Sequence, residues 1–219
     1  MRLRDITSVT IVKNEANYIG HVIAPLVSRL GGVIVFDTGS TDGTAEICEG
    51  LGATVVRKGE STPYQLGVYR TEMGIMADTP WTMVVDGDEL YSTDMLDEID
   101  NLPVPEGKTL GFTRMCSVDY IDGQYVLLKD MFNRVALHPK TVQYHGEYPF
   151  ESPILFDDPN NFFYLPTENF AYHLHRLDRS PLDSSVFMRK DKQYLFALQN
   201  VTVPVDRPVT LPLDPKFDL

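Results

Sequence analysis

The sequence predicts an α/β fold in which a mostly parallel sheet is flanked by helices and extended by antiparallel strands in the second half. Three observations support this prediction. Short apolar segments alternate with amphipathic helical segments up to Glu89, which is the rhythm of a parallel α/β sheet. Longer strand-rich segments follow Glu89. Polar loops, some rich in glycine, follow the predicted strands, where open parallel sheets bind their ligands.

The predicted elements of the first half are short apolar strands, as buried parallel strands are, with helices between them. The four strands cover residues 9–12, 33–36, 54–56 and 81–85, and the three helices cover residues 19–30, about 42–51, and 64–77. Pro25 is expected to kink or shorten the first helix. Ser40, Thr41 or Asp42 is expected to cap the second helix.

The second half reads differently. Residues 109–116 and 124–132 are predicted strands on either side of a turn at Asp122 and Gly123, which favours antiparallel pairing. Residues 184–198 are predicted to form a helix. Residues 201–219 hold four prolines, so we expect an extended strap or a frayed tail there. The sequence thus predicts one domain over residues 1–200 and a Pro-rich tail after it.

Composition restricts the class of protein. With 219 residues, of which 43% are hydrophobic and 23% charged, the chain can bury a sizeable core. A formal net charge of −12 argues against a nucleic-acid groove, which needs a basic surface. Cys48 and Cys116 lack metal-type spacing and are expected to be reduced packing residues. No apolar run spans a bilayer and no signal peptide is recognised, so a soluble, cytoplasmic protein is expected.

The most informative motif is the acidic segment that ends the fourth strand, Val84-Val85-Asp86-Gly87-Asp88-Glu89. In an extended chain Asp86 and Asp88 project to one side, while Gly87 allows close approach of the backbone. Two carboxylates on one side suit Mg²⁺ or Mn²⁺, whose open positions are filled by phosphate oxygens. The motif therefore predicts a metal-bound phosphate or diphosphate. The alternative interpretation is a solvated acidic turn.

A second polar loop, residues 37–44, follows the second strand and opens a helix. Its glycines, serine and threonines suit a phosphate cradle, although the spacing of a Walker loop or a dinucleotide fingerprint is missing. Asp37, at the strand tip, is placed to accept a hydrogen bond from a base or a ribose hydroxyl. The alternative interpretation is a helix-capping turn.

Together these segments resemble glycosyltransferase family 2, which has the Rossmann-like GT-A fold. The resemblance covers roughly the first 90 residues, and four motifs occur in the family's order. They are Thr10-Ile11-Val12-Lys13-Asn14-Glu15, Val35 through Thr44, Tyr69-Arg70-Thr71, and Trp81 through Glu89. The resemblance implies that residues 1–90 bind a nucleotide-diphosphate sugar, most often a uridine one, and that residues 91–200 supply acceptor and catalytic groups. It identifies the acidic cluster as the DxD motif.

Residue by residue, the resemblance implies contacts from Val12, Asp37 and Arg70 to the nucleotide. Asp86 and Gly87 would lie at the ribose or the metal, with Asp88 as the main metal ligand. Many family members have a second aspartate where this chain has Thr38, and that aspartate often contacts uracil. The resemblance therefore implies nucleotide binding more firmly than uridine specificity. The alternative for Arg70 is a helix residue whose apolar stem packs on the protein.

The second half offers candidates for the remaining roles. Met131-Phe132-Asn133-Arg134 resembles a family motif, and residues 146–151 lie where a base-bearing segment is expected, without its histidine. Displacement at the anomeric carbon needs a carboxylate to deprotonate the acceptor, for which Glu151 is the first choice and Glu147 the second. His173 is the candidate third metal ligand, and His175 projects to the same side. Each of these has a surface or structural role as its alternative.

The sequence thus predicts a metal-dependent glycosyltransferase that moves a sugar from a nucleotide-diphosphate sugar to a hydroxyl of an unidentified glycan, lipid or protein acceptor, with inversion. Two alternatives stay open. A sugar-1-phosphate nucleotidyltransferase is disfavoured because its glycine-rich, basic amino-terminal loop is missing. A catalytically inactive sugar-nucleotide or glycan-binding module is disfavoured by the intact acidic motif but favoured by the irregular segment 146–151.

Overall fold

The structure, a computed structural model, describes residues 1–62, 65–128, 132–145, 152–154, 158–165, 170–174, 176–182 and 205–211. In the first half the predicted strands and helices are present with small shifts at their ends. The strands are β1 (Ile6–Val12), β2 (Gly32–Asp37), β3 (Thr54–Arg57) and β4 (Trp81–Val84), and the helices are α1 (Ile19–Arg29), α2 (Thr44–Gly50) and α3 (Leu66–Met76).

These four strands form the parallel part of the sheet in the order β4-β1-β2-β3. The apolar character of β1, β2 and β4 follows from burial on both faces. Ile6 and Val12 of β1 pack in the cluster that contains helix α1, whereas Val9 packs on the other face with Tyr69 and Met73 of α3. Because all four strands run the same way, the loops after β1, β2 and β4 meet at one edge of the sheet.

Helix α1 runs from Ile19 to Arg29 with Pro25 inside it, so Pro25 does not end the helix, and the expected kink stays a prediction. The cap of helix α2 differs from the sequence prediction. Helix α2 is capped by Gly43, in the left-handed region at φ 94°, and not by Ser40, Thr41 or Asp42. Asp42 still contributes at this helix start, because its Oδ1 accepts a hydrogen bond from the Thr44 amide at 3.1 Å.

The second half adds mainly antiparallel strands, with two exceptions. Its elements are β5 (Glu89–Leu90), α4 (Thr93–Ile99), β6 (Leu110–Ile121), β7 (Gln124–Leu128), β8 (Phe132–Pro139), β9 (Tyr144–His145), β10 (Ser152–Pro153), β11 (Phe162–Tyr164), β12 (Ala171–His173) and β13 (Val205–Pro208). Strand β8 joins the halves by pairing antiparallel with both β4 and β6. Strands β11 and β12 run parallel to β6, which the sequence did not predict.

The sheet that results is continuous across both halves. Among the described residues it contains eleven strands, with the main order β13-β7-β6-β8-β4-β1-β2-β3. The predicted α/β arrangement is therefore confirmed. The expected helix at residues 184–198 lies outside the described residues. Within them, no helix combines the length and apolarity required to cross a bilayer.

A buried histidine lies where the two halves join. His138 of β8 is 1% exposed and faces Thr82 of β4, whose Oγ1 lies 2.9 Å from its Nδ1. Its Nε2 lies 2.9 Å from the hydroxyl of Tyr144. Burial lowers the pKa of His138 to about 4, so the imidazole is neutral at pH 7.

This burial predicts a specific loss of stability in acid. Below its ordinary pKa of 6.5, His138 takes up a proton in the unfolded chain but not in the folded one until pH is about 4. The contribution of His138 to the free energy of unfolding should be constant above pH 6.5 and should fall by about 3 kcal/mol as the pH drops to about 4. Urea unfolding of the wild type and of His138→Gln across this range measures the difference in slope.

Replacing the exposed His145 by Gln provides the matched control, since it removes one histidine from the same region without removing a buried one. Equal pH slopes for wild type and His138→Gln would contradict the assignment.

Candidate active site

A cleft of about 800 Å³ lies at the edge where the loops after β1, β2 and β4 meet the second half of the chain. Four carboxylates and four cationic side chains line it, together with His173. They are Glu15, Asp86, Asp88 and Glu89, and Lys13, Arg70, Arg134 and Arg179. The chain as a whole carries a formal net charge of −12, whereas the basic and acidic side chains that line this cleft are equal in number.

The loop after β2 is tied to the loop after β1 by side-chain hydrogen bonds. The Asn14 amide donates to Ser40 Oγ at 2.9 Å, and the Glu15 amide donates to Thr44 Oγ1 at 2.8 Å. Ser40 and Thr44 therefore satisfy backbone donors that a strand end leaves unpaired. The described polar groups of this loop serve to hold Glu15 in place at the cleft.

Asp37 takes part in the same loop structure. It is 3% exposed, and both of its carboxylate oxygens lie 3.2 Å from the Ser40 amide, which donates to them. Asp37 does not line the cleft, whereas its neighbour Thr38 does. The Thr38 amide and hydroxyl both donate to the Val12 carbonyl, at 3.0 and 2.9 Å. The nucleotide contacts expected of Asp37 and Val12 stay predictions.

Gly87 allows the loop after β4 to pack closely on the loop after β1. A Cβ at Gly87 would lie 3.0 Å from both Glu15 Cγ and Val12 Cγ1, closer than side chains normally approach. Glycine at this position therefore brings Asp86 and Asp88 beside Glu15. This close approach agrees with the interpretation of Gly87 made from the sequence.

Asp86 is held between two arginines. Arg70 Nη2 donates to Asp86 Oδ1 at 3.0 Å, and Arg134 Nη1 lies 2.9 Å from Asp86 Oδ2. Arg134 also pairs with Glu89, which is 1% exposed. Burial favours the neutral acid, but the charges of Arg134 and Arg70 outweigh it and hold the pKa of Asp86 well below its usual range. Asp86 is therefore a carboxylate at neutral pH.

Asp88 is held by a third arginine and faces His173. Arg179 Nη1 lies 3.1 Å from Asp88 Oδ2 and 2.6 Å from Glu15 Oε1. His173 Nε2 lies 3.7 Å from the same oxygen of Asp88. Strand β12 carries His173 there by pairing antiparallel with β5. Burial lowers the pKa of His173 more than the charge of Asp88 raises it, so the imidazole is neutral at pH 7, the form that binds metals.

The donor chemistry of Asp86, Asp88 and His173 fits a Mn²⁺ or Mg²⁺ ion, since it offers hard carboxylate oxygens and a neutral imidazole nitrogen. Within the part of the chain that the structure describes, no three His, Cys, Asp or Glu side chains are positioned together as a metal-binding group. The carboxylates pair with arginines in this arrangement. A metal ion that binds Asp86 and Asp88 would therefore have to replace contacts between these carboxylates and the arginines.

The structure thus brings together most of the site residues predicted from sequence. Those that line the cleft are Val12, Arg70, Asp86, Gly87, Asp88 and His173. Asp37 is buried and does not line the cleft. Glu147, Glu151 and His175 lie outside the described residues. Sequence reasoning gave no role to Glu15, Arg134 or Arg179. The available signal was electrostatic, because four acids at a buried edge require cations nearby.

Comparison with known proteins finds a family that is similar to the first half of the chain. Residues 7–101 match glycosyl transferase family 2. An uncharacterized glycosyltransferase of Rickettsia prowazekii is 27% identical over 186 residues, or 84% of this chain and 54% of that protein. The glycosyltransferase AglJ of Haloferax volcanii is 38% identical over 101 residues, or 45% of this chain and 32% of that protein. The chain thus spans about half and about a third of these relatives.

One solved structure matches the fold of nearly the whole chain. A crystal structure of a mycobacterial protein matches with a TM-score of 0.52 and 17% identity, covering 98% of this chain and 81% of that one. A crystal structure of glucosyl-3-phosphoglycerate synthase from Mycobacterium tuberculosis, in complex with Mn²⁺, UDP-glucose and phosphoglyceric acid, matches with a TM-score of 0.37 and 20% identity over 52% of this chain and 44% of that one.

The fold match over nearly the whole chain agrees with the GT-A arrangement expected from the sequence, a parallel half with further strands added to it. The sequence match covers the half that carries the acidic motif and both loops tied together beside it. Residues 7–101 are thus similar to glycosyl transferase family 2, and both curated relatives are named glycosyltransferases.

Proposed function

We propose that this protein is a metal-dependent glycosyltransferase that moves a sugar from a nucleotide-diphosphate sugar to an acceptor hydroxyl. One observation carries the proposal: Asp86, Asp88 and a neutral His173 open onto one cleft at the carboxyl ends of the parallel strands. Ligands of open α/β sheets bind at this edge. Residues 1–90 are proposed to hold the donor and residues 91–200 to supply the acceptor and catalytic groups.

The cleft suits a charged donor. Its volume of about 800 Å³ is within the range of cofactor sites. Arg70, Arg134 and Arg179 provide guanidinium groups, which bind phosphate oxygens in a bidentate manner. A diphosphate that enters the cleft would bind these arginines through its own oxygens, which would replace carboxylates as the partners of the guanidinium groups. The cations already present thus support binding of an anion in a protein that is acidic as a whole.

The proposed metal ligands are Asp88, Asp86 and His173, with Mn²⁺ or Mg²⁺ as the ion. When bound, the ion supplies Lewis-acid stabilisation of the charge that develops on the leaving nucleoside diphosphate. The buried position of Asp88, 7% exposed, supports this role, since an ion there acts in a low dielectric.

The donor is proposed to be a uridine nucleotide sugar. Val12 lines the cleft at the end of β1, where its backbone and that of its neighbours lie within reach of a base. Thr38 replaces the aspartate that often contacts uracil in the family, and its hydroxyl already donates to the Val12 carbonyl. Asp37 is the remaining candidate for a base contact. Competition between UDP and other nucleoside diphosphates tests the base preference.

Transfer is proposed to occur with inversion, assisted by Glu151 or Glu147 as the general base. A hydroxyl is a weak nucleophile, and a carboxylate on the face opposite the leaving group takes up its proton as the new bond forms. Strands β9 and β10, which flank this segment, pair with each other in front of α3. Ser152 and Pro153, which follow Glu151 in the chain, line the cleft, and this supports the proposal.

A screen of nucleotide sugars with and without Mn²⁺ tests the proposal as a whole. A donor that binds the native state raises the melting temperature, and a donor that is also a substrate yields product from a labelled sugar. Binding without transfer, over a panel of glycan, lipid and protein acceptors, would favour the inactive binding module instead.

Asp88→Ala should abolish transfer and most metal-dependent donor affinity, because it removes the main proposed ligand. The domain should stay folded, because Arg179 keeps Glu15 as its partner when the Asp88 carboxylate is removed. Calorimetric titration of donor with Mn²⁺ and a transfer assay measure both effects. Asp119→Ala, which removes a carboxylate paired with Arg176 outside the cleft, is the control. Undiminished turnover of Asp88→Ala would end the metal hypothesis.

Arg70→Ala should weaken nucleotide binding by about 1.5–3 kcal/mol if Arg70 makes a charge-assisted hydrogen bond to the donor. It should also lower stability, because it removes one of the two cations that hold Asp86. Arg57→Ala provides the control, since Arg57 is an exposed residue paired with Glu46 and Glu49 outside the cleft. A loss of stability with unchanged nucleotide affinity would show that Arg70 only supports Asp86.

Glu151→Gln should leave donor and metal affinity nearly intact while transfer falls by about 10²–10⁴ in rate, the usual contribution of a positioned base. Glutamine keeps the shape of the side chain but cannot accept the proton. Glu147→Gln is the matched comparison, measured with the same donor and acceptor. Near-normal transfer by Glu151→Gln together with loss in Glu147→Gln would move the assignment to Glu147, and activity in both variants would place the base elsewhere.

A further inference from the structure

The side chain of Arg179 lies between two buried acids of the cleft. Its Nη1 atom is 2.6 Å from Glu15 Oε1 and 3.1 Å from Asp88 Oδ2. Glu15 and Asp88 are only 4% and 7% exposed. A buried carboxylate is costly unless a cation or hydrogen-bond donors compensate its charge. Arg179 therefore provides charge compensation for both acids in the absence of a metal.

The same oxygen of Asp88 also faces the proposed third ligand. Oδ2 of Asp88 lies 3.1 Å from Arg179 Nη1 and 3.7 Å from His173 Nε2. A divalent ion shared by Asp88 and His173 would therefore bind an oxygen that now accepts from Arg179. Two cations at one oxygen repel each other strongly in a site of low dielectric. The metal and the guanidinium are thus competitors for Asp88.

Arg179 has a second anchor that the metal need not disturb. Glu15 is held by the Thr44 hydroxyl, which accepts from its amide at 2.8 Å. The backbone around Arg179 is fixed to the neighbouring loop, because the Asn17 amide donates to the Arg179 carbonyl at 2.9 Å and Asn17 Nδ2 donates to the Asp178 carbonyl at 2.7 Å. The guanidinium can leave Asp88 while its backbone and its contact with Glu15 remain.

We propose that Arg179 is a resident counter-ion that a divalent cation displaces from Asp88, while Glu15 retains the arginine at the edge of the cleft. This inference rests on the proposed metal-dependent function. Before the cation binds, Arg179 holds the Asp88 carboxylate in position through its 3.1 Å contact. After the exchange, both carboxylates still have a cationic partner, so no buried charge is left uncompensated. Arg179 is thus a positioning residue that lowers the metal affinity of the donor-free protein.

The test is Mn²⁺ binding to the donor-free protein, measured by electron paramagnetic resonance. Arg179→Gln removes the competitor, so Mn²⁺ should bind about tenfold or more tightly, which corresponds to one charge-assisted hydrogen bond. Because this variant leaves Glu15 buried without Arg179, the double variant Glu15→Gln with Arg179→Gln is measured as well. It removes a charge of each sign and should show the same tightening.

Two controls separate exchange from a general change of charge. Lys13→Gln removes one positive charge from the same cleft, but Lys13 pairs with Glu60 and not with Asp88. Arg176→Gln removes one from the same chain segment, where Arg176 faces Asp119. Both should bind Mn²⁺ within about twofold of the wild type, since Lys13 pairs with Glu60 and Arg176 with Asp119 and not with Asp88.

The proposed exchange would be overturned if Arg179→Gln and the double variant bound Mn²⁺ with the same affinity as the wild type. It would also be overturned if Lys13→Gln raised the Mn²⁺ affinity as much as Arg179→Gln does. If the wild type binds Mn²⁺ and Asp88→Asn does not, such a result leaves the proposed function in place. Absence of Mn²⁺ binding in every variant, with no transfer from any labelled donor, would overturn both.

Discussion

The pairing of buried carboxylates with arginines at the carboxyl end of the sheet is the interaction on which this cleft depends. Asp86, Asp88 and Glu89 come within five residues after β4, and Asp88 and Glu89 are buried there, at 7% and 1% exposure. Unpaired, these charges would be costly to bury. Arg134 and Arg179 compensate them. Burying so many charged groups costs free energy of folding, but it places charged side chains where a charged ligand can bind them.

These pairs also join the two halves of the chain. The acids come from the parallel half, whereas Arg134 lies on β8 and Arg179 follows β12. Strand β8 pairs with β4 and β12 pairs with β5, so the strands that carry the cations are themselves added to the sheet beside the acids. Backbone pairing and charge pairing therefore support the same arrangement. The family match ends at residue 101, before either arginine.

Prediction from the sequence was most successful where the signal is local. Helix α1 and the first four strands follow from apolar periodicity, and the acids after β4 follow from an apolar run that ends in carboxylates. Prediction was weaker in the second half. Strands β11 and β12 are three residues each and pair parallel with β6, which no short-range pattern reveals. The phosphate cradle expected in the polar loop after β2 stays a prediction, and two described hydrogen bonds tie this loop to the loop after β1.

The sequence by itself determined the parallel α/β half, the acidic motif and the edge of the sheet where that motif lies, because periodicity and strand polarity are properties of neighbouring residues. Only the tertiary structure decided which cation compensates which acid. Arg179 is 91 positions from Asp88 in the chain, and its contact depends on the pairing of β12 with β5 and β6. An ion pair between residues so far apart in the sequence cannot be recognised from a local sequence pattern, because the two side chains meet only after the sheet has formed.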